Sequence, residues 1–322
     1  MTLFVHIGPH KTASTLGQML FATANDSGTC VYLPIGRASQ GRPDQVHHPV
    51  AEAIRTPHTS EARALLAGIE SCLARAQAAG QSVLISSEMF PTVAALYLPL
   101  RDIAARQGHD LRMIFVCRDP VARLNSMYTQ SIKTRRFDGP IAAFVAVALT
   151  SGQRDERLRP CTVLRPRFTA LGARFDLMPY DASGMEPLFR QLCAQIGLAV
   201  AATTPNQPDR INTGPSAAAI RLLREGVVPP DTPRLFKMLQ TADLALAQPA
   251  YFGMTPELAT QIRTTLADDL TALGSTPMLL GQYQDEVAAD VSHPTLNDGS
   301  NLADYEGYCR FVLDLARQWA GQ

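Results

Sequence analysis

Leu3-Phe4-Val5-His6-Ile7-Gly8-Pro9-His10-Lys11-Thr12-Ala13-Ser14-Thr15, running on into the apolar stretch Leu16 to Phe21, is the segment that decides how this 322-residue chain is read. Four apolar residues and His6 form a strand, a glycine-proline turn stops it, and an apolar helical run begins at once. A strand that turns sharply into a helix aims several unpaired backbone N–H groups, and the positive end of the helix dipole, at one spot. That spot attracts a phosphate. Lys11 adds a full positive charge, and the Thr12, Ser14 and Thr15 hydroxyls offer further donors.

The loop is not the GxxxxGK[ST] phosphate loop of nucleotide triphosphatases, because the second glycine is missing and the lysine stands three residues after Gly8. The next strong strand, Leu111 to Cys117, delivers Arg118 at its tip, where a triphosphate-using enzyme tends to place a metal-holding aspartate. Asp119-Pro120 is a helix cap followed by a first-turn proline. In Arg118-Asp119-Pro120-Val121-Ala122-Arg123-Leu124-Asn125-Ser126-Met127-Tyr128 the arginine offers a planar fork of donors matched to phosphate oxygens, and Ser126 lies two turns into the following helix. One phosphate here and another at Lys11 imply a ligand with two separated anionic groups.

Working outward, short apolar strands alternate with helical stretches, the pattern of parallel strands joined by crossover helices. Strands are expected at Leu3–Ile7, Val31–Leu33, Val83–Ser86, Arg112–Cys117 and Phe175–Met178. Helices are expected at Glu61–Ala79, Thr92–Gln107, from Asp119-Pro120, and at Glu186–Ile196. After Pro179 the pattern is nearly all helical: Ser216–Glu225, Thr232–Ala247, Pro256–Leu273 and Ala303–Trp319, with loops at Thr203–Gly214 and Gln282–Asn301. The expected fold is α/β, a three-layer, mostly parallel sheet flanked by helices with a helical C-terminal portion. Residues 1–200 form the core, and residues 201–322 an extension packed on the core or acting as a lid.

Hydrophobic residues make up 46% of the chain and charged residues 18%, enough apolar material for a large core. The longest uninterrupted apolar run, Ile141 to Leu149, is far short of the roughly 20 residues a bilayer requires. No leader-like segment opens the sequence, so a cytoplasmic location is the expectation. The six cysteines, Cys30, Cys72, Cys117, Cys161, Cys193 and Cys309, contain no CxxC pair and read as reduced, mostly buried small hydrophobes. His47 and His48 lack a partner at ligand spacing and read as polar loop residues; no metal site is expected.

Lys+Arg and Asp+Glu both total 29, which gives no whole-molecule attraction to nucleic acid or anionic lipid. The balance is uneven, with nine basic against three acidic residues from Lys133 to Arg174, and five basic against twelve acidic from Val227 onward. A local excess of arginine suits a modest-sized anionic ligand, the plainer reading being a solvated helical face.

Together the two motifs resemble those of sulfotransferases that use 3′-phosphoadenosine-5′-phosphosulfate as donor. Pro9 to Thr15 is similar to their 5′-phosphosulfate loop, and Arg118 to Ser126 to their 3′-phosphate motif. The resemblance covers roughly residues 1–200; beyond it, Arg210-Ile211-Asn212 resembles a donor-contacting segment of some bacterial members. It implies a P-loop-like fold and transfer of a sulfuryl group to a hydroxyl or amine by in-line displacement. Donor contacts would come from Gly8, Lys11, Thr12, Ala13, Ser14, Thr15, Arg118, Ser126 and Arg210, with no metal required. The acceptor's proton needs a general base. Glu88, following the strand Ser82–Ser86, is the first choice and His10 the second. Glu88 as a cap for the helix beyond Pro91 is the duller alternative.

Arg123 is expected on the exposed side of its helix; Tyr128 and Gln130 face a pocket or pack the helix. The acceptor is a small molecule, glycan or lipid head group, and the arginines favour one bearing an acid group. A kinase of the same broad fold and a non-catalytic nucleotide- or glycan-binding relative are the rival readings, and nothing in the sequence sets an oligomeric state.

Overall fold

The computed structural model describes residues 1–9, 12–37, 46–150, 156–181, 184–202, 214–226, 232–246, 248, 250–283 and 305–320. Five strands, β1 (Thr2–Ile7), β2 (Cys30–Tyr32), β3 (Ser82–Ser87), β4 (Asp110–Cys117) and β5 (Arg174–Pro179), form one all-parallel sheet in the order β2-β3-β1-β4-β5. The central strand β1 runs from Leu3↔Val83 to Ile7↔Ser87 against β3, and from Thr2↔Asp110 to Ile7↔Phe115 against β4.

Both faces of the sheet are covered, as all-parallel sheets require. Alternate residues of β1 divide between two cores. Leu3, Val5 and Ile7 join the core formed with α2 (His48–Arg55), α3 (Ser60–Ala78), α4 (Leu98–Arg106) and α7 (Arg165–Ala170); Phe4 joins the one formed with α1 (Ser14–Ala22) and α8 (Met185–Ile196). The fold is therefore three-layered α/β with the P-loop-like strand order. The chain leaves β1 toward β2 on one side and leaves β4 toward β5 on the other, so the carboxyl ends of β1 and β4 bracket the point where the strand order reverses.

The chain divides into two compact units. Met1–Asp119, Gly152–Asn206 and Leu266–Asp285 make the sheet unit; Pro120–Ser151, Gln207–Thr265 and Glu286–Gln322 make a helical one. A single cut near residue 200 does not describe this division. From before that point, α5 (Pro120–Lys133) and α6 (Ile141–Thr150) cluster with the helical unit, where Tyr128 and Ile132 pack on Ala217, Ile220 and Tyr251. Among the described residues the rest of that unit comprises α9 (Ala217–Glu225), α10 (Thr232–Ala245), α11 (Pro256–Thr265) and α13 (Tyr305–Ala320). From after residue 200, α12 (Ala267–Ser275) belongs to the sheet unit, where Asp269 Oδ1 accepts from Cys161 N (3.0 Å), Thr162 N (2.7 Å) and Thr162 Oγ1 (2.9 Å).

Several expected helices differ in detail. Pro99 has no N–H to give, and Thr92–Gln107 resolves into a 3₁₀ turn, Ala94–Tyr97, and then α4 with the proline in its first turn. Pro256–Leu273 is two helices, α11 and α12, broken at Leu266. The cysteines are free, five of them buried. Among the described residues no helix is long and apolar enough to cross a membrane. The expected loops Thr203–Gly214 and Gln282–Asn301 lie largely outside the described residues.

Candidate functional site

The loop leaving β1 is closed by its own side chains. A Cβ built on Gly8 would come within 2.3 Å of Ser14 Oγ and 2.7 Å of Ser14 Cβ, so only glycine lets the chain fold back this tightly. Thr12 is fully buried and its hydroxyl donates to the Pro9 carbonyl at 2.6 Å. Ser14 Oγ reaches the same carbonyl and Thr12 Oγ1, both at 3.3 Å. Thr12 therefore braces the loop with the proton that sequence reasoning reserved for a ligand. Ala13, the N-cap of α1, sits in the left-handed region at φ 56° and supplies no side-chain acceptor. The end of α1 is thus left without a side-chain cap, and the half-buried Thr15 stands in its first turn. Such strain tends to collect at ligand-binding turns. His10, Lys11 and Arg210 lie outside the described residues.

One strand away, Arg118 follows the last residue of β4, and its guanidinium lies 4.5 Å above the Tyr180 ring. Tyr180 is held at the end of β5 by its N–H bond to the Cys117 carbonyl, 2.8 Å. A cation over an aromatic face gains roughly 0.5–1 kcal/mol at exposed sites and restricts where the guanidinium points. On the other side of β1, Glu88 stands one residue beyond the registered pair Ile7↔Ser87, level with Gly8 and half-buried. Its loop is clamped by two arginines: Arg157 Nη2 donates to the Phe90 carbonyl at 2.9 Å, and Arg55 donates to the Met89 carbonyl. Glu88 lies close enough to the Arg157 guanidinium to stabilise its charge against burial. The carboxyl edge of the sheet thus presents Glu88, the Gly8 loop and Arg118 on three adjacent strands. Ser126 is half-buried on α5 in the helical unit.

Beneath the loop is a layer that sequence reasoning did not find. His6 Nδ1 pairs with Ser86 Oγ at 2.7 Å, and His6 packs edge-on against Phe21 and Phe189. His47 donates from Nε2 to the Leu33 carbonyl (3.0 Å) and accepts at Nδ1 from the Ser86 N–H (3.1 Å), joining the ends of β2 and β3. Burial lowers His6 to about 4 and His47 to about 3. Both imidazoles are neutral structural groups, and His48 is tied to Ser87 Oγ at 2.8 Å. The only advance signal was their position beside strands, which separation in sequence hid. Among the described residues no three His, Cys, Asp or Glu side chains gather as a metal site would need.

One expectation about α5 needs correcting, and the alternative left open for Tyr128 resolves to helix packing. Arg123 is 4% exposed and lies on the buried side of its helix. Tyr128 is fully buried, its hydroxyl donating to the Gly139 carbonyl at 3.1 Å and its ring against Phe144 and Tyr251, so it packs the helical unit. Neighbouring Asn125 pins α5 to the segment that precedes α11 by bonds to the Tyr251 carbonyl and the Gly253 N–H, both 3.0 Å. Compared with models of protein families and with curated proteins, the chain matches none.

Proposed function

We propose that this protein is a sulfotransferase that takes its sulfuryl group from 3′-phosphoadenosine-5′-phosphosulfate and passes it to a hydroxyl or amine. The observation carrying this reading is the Gly8 turn, packed too tightly for any side chain, opening onto the uncapped end of α1 beside an arginine-tipped neighbouring strand. The donor set suits two anionic groups: backbone amides, hydroxyl and ammonium at the turn, and a guanidinium at the next strand. When bound, the donor supplies an activated sulfuryl group and a stable leaving nucleotide.

In this reading Lys11 and the amides of the turn hold the 5′-phosphate, and Arg118 and Ser126 hold the 3′-phosphate, with Arg210 as a further contact. Negative charge grows at the 5′-phosphate oxygen as the bond to sulfur breaks, so Lys11 binds the transition state more tightly than the ground state. Thr12, Ala13 and Gly8 fix the turn, and Ser14 and Thr15 start the helix whose end faces the anion. Glu88, level with Gly8, takes the acceptor proton, with His10 as the alternative base. The acceptor is a small molecule, glycan or lipid head group carrying an acid group, and the protein acts in the cytoplasm without a metal.

A transfer assay with labelled donor against cell extract, read by mass spectrometry of the labelled product, tests this reading. Donor-dependent labelling is expected, with Lys11→Ala slowing turnover by about 10²–10³-fold and Glu88→Gln by about 10²–10⁴-fold. Absence of labelling would refute it. Full turnover by Glu88→Gln would move the base to His10, tested by His10→Ala.

A further inference from the structure

The solvent side of α6 departs from the usual chemistry of a surface helix. Its ten residues, Ile141–Thr150, include no charged group, and a helix that is apolar all round belongs in a core. Yet Val145 alone is fully buried, while Ile141 and Phe144 pack on the cluster around Tyr128. At about 100° per residue, exposed Ala142, Ala143, Ala146, Val147 and Thr150 fall within one arc of about 140°. Val147 is 47% exposed. The one hydroxyl on this face, that of Thr150, donates back to the Ala146 carbonyl at 2.7 Å.

Cations stand at the end where this face begins. Arg135 and Arg136, both exposed, lie in the turn between α5 and α6. Exposed Arg224, near the end of α9, donates from Nε to the Asp138 carbonyl of the same turn at 3.3 Å. Asp138 is the one acidic residue from Lys133 to Thr150, and Glu225, next to Arg224, is held by Arg221 at 2.8 Å and by the Tyr305 hydroxyl at 2.7 Å. Three arginines thus border an uncharged helix face, although the whole chain is neutral. The interface of an anionic bilayer matches both halves: head groups carry the counter-charge, and the acyl boundary takes the apolar face. A second copy of this surface brings the same arginines and the same single aspartate, so it matches only the apolar half.

We propose that α6 and the turn before it form a docking surface for an anionic membrane, on which the protein rests peripherally, with the Ala142–Thr150 face at the acyl boundary and Arg135, Arg136 and Arg224 among the head groups. The inference is independent of the donor reading, since none of these residues belongs to the donor site.

The test is flotation of the full-length protein with vesicles of phosphatidylcholine alone, or of phosphatidylcholine and phosphatidylglycerol in equal parts. Wild type should float with the anionic vesicles, release them as salt is raised, and stay behind with the neutral ones. Glycine suits the left-handed backbone of Arg135 at φ 53°. The double variant Arg135→Gly/Arg136→Ser therefore removes two charges while keeping the turn, and should weaken binding about ten- to thirtyfold. Ala146→Glu/Val147→Glu places a good helix former at two exposed sites and should weaken binding by about as much. No binding by wild type, equal binding to neutral vesicles, or undiminished binding by either variant with wild-type circular dichroism overturns the proposal. A wild-type dimer in sedimentation that Ala146→Glu/Val147→Glu dissociates, without vesicle binding, also overturns it and gives the face to a second copy.

Discussion

At the scale of single residues, Gly8 is the position where backbone geometry and chemistry coincide. A methyl group there must displace Ser14, and Ser14 opens α1, so the loop and the helix end move together. Gly8→Ala is expected to keep the far-UV circular dichroism of the wild type while losing the thermal stabilisation given by adenosine 3′,5′-bisphosphate. An undiminished shift would mean that the turn does not meet the nucleotide. The tight strand-to-helix turn was legible in sequence, because a glycine-proline pair ends an apolar strand and an apolar helical run follows at once. The direction of each hydroxyl was not. Thr12 turns inward to Pro9, and nothing in the identity of a threonine distinguishes a brace from a ligand contact.

At the scale of elements, two predictions follow from buried titratable groups. His6 and His47 remain neutral in the folded sheet unit, with pKa values near 4 and 3 against 6.5 for the free side chain. The unfolded chain binds protons that the native one refuses, so their contribution is complete above about pH 6.5. It is lost as pH falls toward 4, by about 1.4 kcal/mol per pH unit for each group. The urea midpoint should therefore be lower at pH 5.5 than at pH 7.5, and a midpoint unchanged over that range contradicts the account.

The second concerns Asp269, whose buried carboxylate ties α12 to the turn at Cys161 and Thr162 while burial raises its pKa. Asp269→Asn keeps an acceptor for the three donors and is expected within about 1 kcal/mol of wild type. Asp269→Ala orphans the donors and should cost about 2–4 kcal/mol in denaturant unfolding. Equal losses in the two variants would show that the bonds are not what holds α12.

Elements were legible where periodicity and punctuation agreed. All five strands lie where the alternation of apolar runs puts them, and α3 and α8 stop at Gly80 and Gly197. Where a signal was missing, the reading failed. The second helix, α2, opens with His48-Pro49 in a polar stretch and shows only Val50, Ala51, Ala53 and Ile54 as its buried stripe. Helix α6 is apolar on every side, so it has no period to detect. Leu266 breaks the long C-terminal helix without a glycine or proline to announce it.

At the scale of the whole chain, the sheet order was beyond periodicity, yet it is what sets Glu88, the Gly8 loop and Arg118 on adjacent strand ends. The grouping of α5 with residues after 207 was equally hidden, since it depends on Tyr128 and Ile132 finding Ala217, Ile220 and Tyr251 far along the chain. The central claim is that the turn after β1 and the arginine after β4 grip two phosphates of one nucleotide. Calorimetric titration of adenosine 3′,5′-bisphosphate without divalent metal into wild type, Lys11→Ala and Arg118→Ala tests it directly. One site is expected, weakened about ten- to a hundredfold by each substitution; no heat with wild type, or unchanged affinity in both variants, would contradict it.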